Sequence, residues 1–310
     1  MKPPHVPPRY SEVGTITGKT GIFGIFGSPI AHTLSPIMHN AAFQALGLPY
    51  RYLPFQVRPE NLKKAVEGII PLGIRGINVT IPHKETVLPL LDSVDSEARK
   101  IGAVNTVVVA SDRLIGHNTD GRGFLASLFE GDIDPTGKRV ILVGAGGAAR
   151  GVAIALAAAG ASEMILIART SSRGKELADR LAALSPRLKV SVLGTDFEKE
   201  SPFRQGRPTL LVNTTPLGMK EGDLLPFPAS LLDPAWIVAD LIYRPYETPL
   251  LSAAKEIGAK TVSGLGMLLH QGALAFELWT KEKPPLQIMR SSLYEALDSG
   301  NPSPLLRSGP

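Results

Sequence analysis

The sequence predicts an α/β protein with two domains and a set of C-terminal helices. A chain of 310 residues is long enough for two domains that each bury a core. Runs rich in Val, Ile and Leu alternate with helical segments, which is the element order of a largely parallel sheet. A glycine-rich turn at 144–149 joins a strand directly to a helix. These observations favour an N-terminal α/β domain followed by a second sheet that begins just before the turn.

Composition narrows the class of protein. Apolar residues make up 44% of the chain and charged residues 20%, which is typical of a water-soluble protein. The sequence has no cysteine, so disulfides and Cys-ligated zinc are excluded. The net charge of +5 comes from dispersed basic residues, and aromatics are only 6%, so nucleic-acid binding is not expected. No run suits a signal peptide or a membrane span. We expect a cytoplasmic protein without a metal site.

Turn residues mark the elements of the first domain, which we expect at 19–122 after a flexible, Pro-rich arm at 1–18. Ser35 and Pro36 predict a helix start, with Ser35 as the N-cap. Gly47 ends that helix, and Pro82 ends the third strand. The predicted strands are 21–27, 50–57, 76–81 and a pair at 104–109 and 113–118, and the predicted helices are 35–46, 61–71 and 123–129.

The second domain is expected at 123–261, and helices at 262–300 are expected to return to the first domain. The alternation of strands and helices restarts after Gly137. The predicted strands are 138–143, 163–168, 189–193, 210–213 and 236–240; the helices follow the glycine turn up to Gly160, then 172–184, 267–279 and 285–297.

The glycine turn predicts a dinucleotide site. Gly144, Gly146 and Ala149 fill the pattern Gly-x-Gly-x-x-Gly/Ala between a strand and a helix. Gly144 permits the tight turn, and Gly146 lets the backbone approach a pyrophosphate at the helix N-terminus, where free N–H groups favour an anion. The second domain is therefore predicted to be Rossmann-like.

The end of the next strand indicates which dinucleotide binds. A site for NAD usually has Asp or Glu there, bonded to the ribose 2′-hydroxyl. This strand ends instead in Ala168, Arg169, Thr170 and, three residues on, Arg173. Two guanidinium groups can bind a 2′-phosphate by charge-assisted hydrogen bonds. The sequence therefore predicts NADP.

A nicotinamide enzyme needs a proton donor or acceptor beside the carbon that gains or loses hydride. Residue types alone do not rank the candidates. A lysine just past a strand end, such as Lys84, can be partly desolvated, which lowers its pKa, while a nearby carboxylate such as Asp120 would raise it. His83 is expected at a helix start or on the surface. The candidates are His32, His39, His83, Lys84, His117 and Asp120.

Eight motifs in order resemble the shikimate dehydrogenase family and span about residues 20–295. They are HTLSP (32–36), NVTIPHK (78–84), GAVNTVV (102–108), NTDG (118–121), GAGGAAR (144–150), NTTPLGM (213–219), DLIYRP (240–245) and GLGMLLHQGALAFELW (264–279). The resemblance implies reversible reduction of 3-dehydroshikimate to shikimate with NADPH, in aromatic amino acid biosynthesis. It also implies that Lys84 is the catalytic lysine and Asp120 its acidic partner. Whether Lys84 transfers the proton or mainly orients the substrate hydroxyl stays open.

The resemblance further implies two sets of binding residues. Hydroxyl and amide groups suit an oxygen-rich substrate because they donate and accept. Thr33 stands where the family often has serine, and Ala168 where it often has asparagine before the Arg-Thr pair. The implied substrate residues are Thr33, Ser35, Thr80, Asn105, Asp120, Tyr243 and Gln271. The implied cofactor residues are Gly144, Ala145, Gly146, Gly147, Ala148, Ala168, Arg169, Thr170, Arg173, Leu241, Gly264 and Met267.

Two alternative functions remain at this point. One is a quinate/shikimate dehydrogenase that uses NAD, which would favour an acidic residue at the end of the second strand of the Rossmann-like domain; none is present. The other is a non-catalytic NADPH-binding sensor, which would not need Lys84 and Asp120 together. A homodimer is compatible with the resemblance, and oligomeric state does not follow from sequence.

Overall fold

A computed structural model describes residues 15–197, 203 and 207–298, which form two six-stranded sheets with helices packed on them. Residues 1–14 of the predicted arm lie outside this range. The strands are β1 (Gly21–Gly27), β2 (Tyr50–Gln56), β3 (Ile74–Val79), β4 (Ser93–Val94), β5 (Thr106–Ala110), β6 (Arg113–His117), β7 (Arg139–Val143), β8 (Glu163–Ile167), β9 (Lys189–Leu193), β10 (Thr209–Asn213), β11 (Ile237–Asp240) and β12 (Lys260–Val262). The helices are α1 (Ser35–Ala45), α2 (Leu62–Glu67), α3 (Ser96–Ile101), α4 (Asp120–Glu130), α5 (Gly147–Ala158), α6 (Ser171–Leu184), α7 (Pro249–Glu256), α8 (Gly264–Thr280) and α9 (Leu286–Asp298).

The first sheet is mixed, with strand order β2-β1-β3-β5-β6-β4. Strands β2, β1 and β3 are parallel, but β5 is antiparallel to both β3 and β6. The two residues between β5 and β6, Ser111 and Asp112, have φ values of 49° and 53°. A two-residue turn of this kind joins antiparallel neighbours and cannot serve as a crossover. Strand β6 again runs parallel to β3 and β4, so the expectation of a largely parallel sheet is wrong only for β5.

The second sheet is wholly parallel, with strand order β12-β11-β10-β7-β8-β9. The chain runs outward from β7 to β9 in one direction and from β10 to β12 in the other. The order therefore reverses between β7 and β10, and a crevice opens beyond their carboxyl ends. The glycine turn follows β7, so the Rossmann-like prediction is confirmed and the turn lies at the crevice.

The C-terminal helices pack against the first sheet. Phe276 of α8 and Met289 of α9 are buried in one cluster with Phe23 of β1 and Phe43 of α1. The indole Nε1 of Trp279 donates to the Val107 carbonyl at 3.0 Å. The chain therefore returns to the first sheet after completing the second. The domain boundaries at residues 19–122, 123–261 and 262–300 stay a prediction.

Some elements differ from the sequence-based prediction. Strand β3 is two residues earlier than expected, and helix 61–71 shortens to α2. Ser35 is the first helical residue of α1 and not its N-cap, which is Leu34. Four elements were not predicted: β4, α3, α7 and β12. They have two to eight residues, too few to establish a hydrophobic period.

Helix α3 shows how a short helix is specified by its ends. The Asp95 side chain accepts from the Ala98 N–H at 2.6 Å, and Gly102 closes the helix with φ of 71°. An N-cap oxygen and a left-handed C-terminal glycine satisfy backbone groups that a six-residue helix leaves unpaired. No helix among the described residues is long and apolar enough to cross a membrane.

His39 predicts a loss of stability in acid. Burial lowers the pKa of His39 to about 3, and the ring stacks on Tyr52 at 4.4 Å between centroids. In the unfolded chain the His39 ring binds a proton at the ordinary histidine pKa of 6.5. Above this pH the ring is neutral in both states, so protonation of His39 does not lower the free energy of unfolding. Below pH 6.5 the free energy of unfolding falls by about 1.4 kcal/mol for each pH unit, down to the folded-state pKa of about 3.

The expected result is that His39→Phe shows a shallower decline in the free energy of urea unfolding between pH 7 and pH 4.5 than the parent chain. The comparison uses the pH slope, so any constant cost of fitting the larger ring cancels. Equal slopes for the two proteins would contradict the assignment to His39.

Candidate active site

Lys84 and Asp120 form an ion pair at the carboxyl ends of the first sheet. The lysine Nζ lies 2.7 Å from Asp120 Oδ2, and the two side chains are 14% and 3% exposed. Lys84 follows β3 by five residues, and its carbonyl accepts from the Val104 N–H at 2.7 Å. Asp120 is the first residue of α4, where a carboxylate also interacts favourably with the helix dipole. The pair therefore offers a positioned ammonium in a site with little water.

Asn105 holds the other oxygen of Asp120. Its Nδ2 donates to Asp120 Oδ1 at 2.9 Å and to Gln271 Oε1 at 3.2 Å. Gln271 comes from α8, and it reaches the site because Gly123 of α4 lies against its backbone; a Cβ at Gly123 would lie 2.6 Å from Gln271 N. The structure thus brings together four predicted residues from separate segments.

Thr33, Ser35 and Tyr243 form a second polar group. The side chain of Thr33 lies beside the Tyr243 hydroxyl, and that of Ser35 lies beside the Tyr52 hydroxyl. Burial raises the pKa of Tyr243, so its phenol stays protonated near neutral pH. Tyr243 follows β11, so the second sheet contributes a side chain to a group otherwise carried by the first.

A buried chain of hydrogen bonds joins these two groups. Tyr52 donates to Asn78 Oδ1 at 2.7 Å, Asn78 Nδ2 donates to Thr106 Oγ1 at 3.0 Å, and Thr106 donates to Asn105 Oδ1 at 3.0 Å. Burial raises the pKa of Tyr52 well above its usual value, which keeps the phenol a donor. None of Tyr52, Asn78 and Thr106 was singled out from sequence. An asparagine inside an otherwise apolar strand was the available signal for Asn78.

Thr80, His83 and His117 are not hydrogen-bonded to Lys84 or Asp120. Thr80 lies just past β3 and its methyl group points towards Gly27, where a Cβ would lie 2.5 Å away. His83 is not at the surface as expected but buried, with Nε2 2.7 Å from the Val57 carbonyl. It is buried because the loop after β3 folds back over the segment that follows β2. His117 pairs with Asp95 at 2.5 Å.

The glycine turn lies between β7 and the first sheet. Gly144 has φ of 114°, and a Cβ there would lie 2.4 Å from Thr214 Oγ1, so the turn requires glycine. A Cβ on Gly146 would meet no atom within 4 Å, and no side chain caps α5. The space beside Gly146 is thus open and the start of α5 lacks a side-chain cap, which fits a pyrophosphate. On Gly147 a Cβ would lie 2.8 Å from that of Lys84.

Arg169, Thr170 and Arg173 lie together where β8 passes into α6. All three are exposed, and Thr170 is the N-cap residue of α6. The Arg169 side chain makes no hydrogen bond or ion pair with any described residue, whereas Arg173 is ion-paired with Glu85. Ala168 is buried, and its Cβ would lie 3.0 Å from one on Gly174. Two exposed guanidinium groups with no carboxylate on the same turn fit a 2′-phosphate.

Leu241, Gly264 and Met267 lie on the opposite side of the crevice, between β11 and α8. A Cβ on Gly264 would lie 2.2 Å from the Leu241 carbonyl, so only glycine permits this approach. Met267 is nearly buried in the core of the second sheet. Asp240 supports the segment by accepting from the Ile242 N–H and from Thr248, at 3.0 and 2.8 Å.

Three family models match separate parts of the chain. The shikimate dehydrogenase substrate binding domain matches residues 25–107. Shikimate / quinate 5-dehydrogenase matches residues 127–193, and the shikimate 5′-dehydrogenase C-terminal domain matches residues 264–294. The first of these contains Lys84 and the second contains the glycine turn.

Individual relatives match nearly the whole chain. The NADP⁺ shikimate dehydrogenase of Desulforamulus reducens is 46% identical over 92% of this chain and 98% of its own length. A crystal structure of a shikimate dehydrogenase in complex with NADP⁺ is 41% identical, covers 91% of this chain and 98% of its own, and superposes with a TM-score of 0.82. Quinate dehydrogenase from Corynebacterium glutamicum in complex with NAD is 33% identical over 89% of this chain and 99% of its own, with a TM-score of 0.79. With this identity, coverage and site geometry, the chain belongs to the shikimate dehydrogenase family.

Proposed function

We propose that this chain catalyses the reversible reduction of 3-dehydroshikimate to shikimate with NADPH, as a step in aromatic amino acid biosynthesis. The observation that carries the proposal is the Lys84–Asp120 pair, nearly removed from water and adjoining the glycine turn through Gly147. An NADPH-binding sensor would have no need for an ion pair at this position.

The roles of the pair follow from charge. In reduction, negative charge develops on the ketone oxygen, and the Lys84 ammonium stabilises it and can supply the proton. Asp120 fixes the direction of the ammonium, and Asn105 fixes Asp120 through its second oxygen. When bound, the nicotinamide supplies or accepts the hydride.

The polar group of Thr33, Ser35 and Tyr243 is proposed to bind the substrate carboxylate, and Thr80, Asn105, Asp120 and Gln271 to bind carboxylate or ring hydroxyl oxygens. Hydroxyl and amide groups can donate to one substrate oxygen while accepting from another. Such a site discriminates strongly against analogues that lack the hydroxyls, because its own polar groups would then be left unpaired.

NADP is proposed to lie across the carboxyl ends of β7 and β10. Gly144 to Ala148 would receive the pyrophosphate, and Leu241, Gly264 and Met267 would border the nicotinamide. Arg169, Thr170 and Arg173 would bind the 2′-phosphate, with the backbone at Ala168 beside them. The missing carboxylate after β8 argues against NAD as the preferred cofactor.

The test compares four combinations: shikimate or quinate, each with NADP or NAD, followed by the absorbance of reduced nicotinamide. We expect shikimate with NADP to give the highest kcat/KM. Turnover of quinate with NAD at equal or better efficiency would favour the quinate dehydrogenase alternative and contradict the proposal.

Arg173→Gln tests the cofactor assignment. We expect the KM for NADP to rise about tenfold or more, because a charge-assisted hydrogen bond to phosphate is lost, and the KM for NAD to change little. Measuring both constants at saturating shikimate checks this. An equal rise for both cofactors would place Arg173 away from the 2′-phosphate.

A cytoplasmic location and a homodimer belong to the same proposal. The location is supported by the enzyme's need for NADPH. The homodimer is compatible with the family resemblance, and no contact within this chain supports it. Cell fractionation tests the location, and light scattering on the purified protein tests the dimer.

A further inference from the structure

Five charged side chains meet where the first sheet faces the second. Glu85 follows Lys84 directly, while Arg150 lies on α5 and Glu176 and Arg173 lie on α6. One oxygen of Glu85 pairs with Arg173, and the other lies 3.1 Å from Arg150 Nη2. Arg150 also pairs with both oxygens of Glu176, at 2.8 and 2.9 Å. Arg180 of α6 lies 3.6 Å from Glu176, so the cluster holds three positive and two negative charges.

The two arginines differ in how firmly they are held. Arg150 is buried and retains a bidentate partner in Glu176 whatever happens to Glu85. Arg173 is half exposed, and Glu85 is its ion-pair partner among the described residues. Arg173 can therefore move away from Glu85 without leaving the buried Arg150 guanidinium unpaired.

We propose that Glu85 competes with the 2′-phosphate of the cofactor for Arg173, and so limits the preference for NADP over NAD. The inference rests on the proposed function, in which Arg169 and Arg173 receive that phosphate. A phosphate next to Arg173 would also approach the Glu85 carboxylate, and two like charges at such a distance repel. NAD carries no 2′-phosphate, so Glu85 opposes one cofactor and not the other.

Competition at this position links the cofactor to the catalytic segment. When the phosphate binds Arg173, Glu85 keeps its ion pair with Arg150 and loses its ion pair with Arg173 of α6. Lys84 is the preceding residue, and its Cβ lies beside Gly147 of the cofactor turn. The first sheet thus contributes a residue that senses the phosphate, although the phosphate binds on the second.

The experiment measures dissociation constants of NADPH and NADH by the fluorescence of the reduced nicotinamide. Glu85→Gln removes the charge with little change of shape. We expect it to lower the constant for NADPH about threefold to fivefold, the scale of a partly exposed ion pair, and to leave that for NADH within twofold. The same comparison with adenosine 2′,5′-bisphosphate and adenosine 5′-monophosphate, measured by their displacement of bound NADPH, removes the nicotinamide end from the comparison.

Glu163→Gln is the matched control. Glu163 and its partner Arg207 are 26% and 45% exposed, against 28% and 47% for Glu85 and Arg173. Glu163 starts β8, at the amino ends of the strands, whereas the glycine turn lies at their carboxyl ends. This variant tests for a general effect of losing one negative charge. We expect its ratio of the NADPH and NADH dissociation constants to stay within about 1.5-fold of that of the parent chain.

Arg173→Gln, alone and with Glu85→Gln, separates the two proposals. If Arg173→Gln weakens NADPH binding and Glu85→Gln no longer matters in the double variant, the competition is supported. If Arg173→Gln weakens NADPH but Glu85→Gln leaves it unchanged or weaker, the competition is overturned while the phosphate site stands. If Arg173→Gln changes nothing, the phosphate site itself is wrong.

Discussion

Lys84→Met should lower kcat for shikimate oxidation by about 10²- to 10⁴-fold, the range for loss of a positioned acid–base group. Methionine keeps most of the aliphatic stem but has no donor. The Asp120 carboxylate then has no opposite charge at 2.7 Å, and the reacting oxygen has no ammonium beside it. Initial rates at saturating shikimate and NADP measure the effect.

The same variant could lose activity simply by losing stability, because it leaves a buried carboxylate without its partner. The double variant Lys84→Met/Asp120→Asn removes both charges and should recover much of any lost stability without recovering kcat. Lys63→Met is the control, since Lys63 is an exposed lysine 3.8 Å from Glu67. Its kcat should match that of the parent chain.

The kinetic pattern also decides between the two roles of Lys84. Loss of kcat together with loss of its pH dependence indicates proton transfer. A raised KM with kcat nearly intact indicates that Lys84 mainly orients the substrate hydroxyl. Unchanged kcat and KM would contradict any part for Lys84 in the reaction.

Gly147→Ala should lower kcat by about 10²-fold, because it pushes apart the two halves of the site. The new Cβ would lie 2.8 Å from that of Lys84, so one segment must move by about 1 Å to reach ordinary contact. Lys84 is held by Asp120 and by the Val104 N–H, so movement there disturbs the ion pair.

Gly131→Ala is the matched glycine change. A Cβ at Gly131 would meet its nearest atom at 3.4 Å, an ordinary contact, and the residue does not need a left-handed φ. Its kcat should be unchanged. Because Gly147 also belongs to the cofactor turn, the NADPH dissociation constant must be measured too. Lower kcat with an unchanged constant supports displacement of Lys84, whereas weaker NADPH binding alone would mean that the methyl group only obstructs the pyrophosphate.

Sequence reasoning predicted the elements whose pattern is local. The strand, the glycine turn and the helix from β7 to α5 follow one another directly, so spacing alone indicated a dinucleotide site. The arginines after β8 indicated NADP for the same reason. In the first sheet, the turn at Ser111 and Asp112 predicted the pair β5 and β6. It did not predict that β5 would lie antiparallel beside β3, since the paired residues of β3 and β5 are about thirty positions apart in the chain.

Lys84 and Asp120 were each visible as polar residues past strand ends, and the family motifs singled them out. That they lie 2.7 Å apart was decided only by tertiary structure. The same holds for Tyr52, Asn78 and Thr106, which join two polar groups through hydrogen bonds between residues 26 and 28 positions apart. His83 was misjudged because its partner, the Val57 carbonyl, lies 26 positions earlier in the chain.

The sequence by itself determined the class of fold, the cofactor turn and the residue types available for catalysis, because each depends on neighbours within a few positions. The tertiary structure alone decided which charges share a site. Glu85 was not singled out from sequence, yet it pairs with Arg173, 88 positions later on helix α6. Burial, ion pairing and close contacts at glycine depend on segments that are far apart in the sequence. They are therefore visible only in the folded chain, where both sheets are packed together.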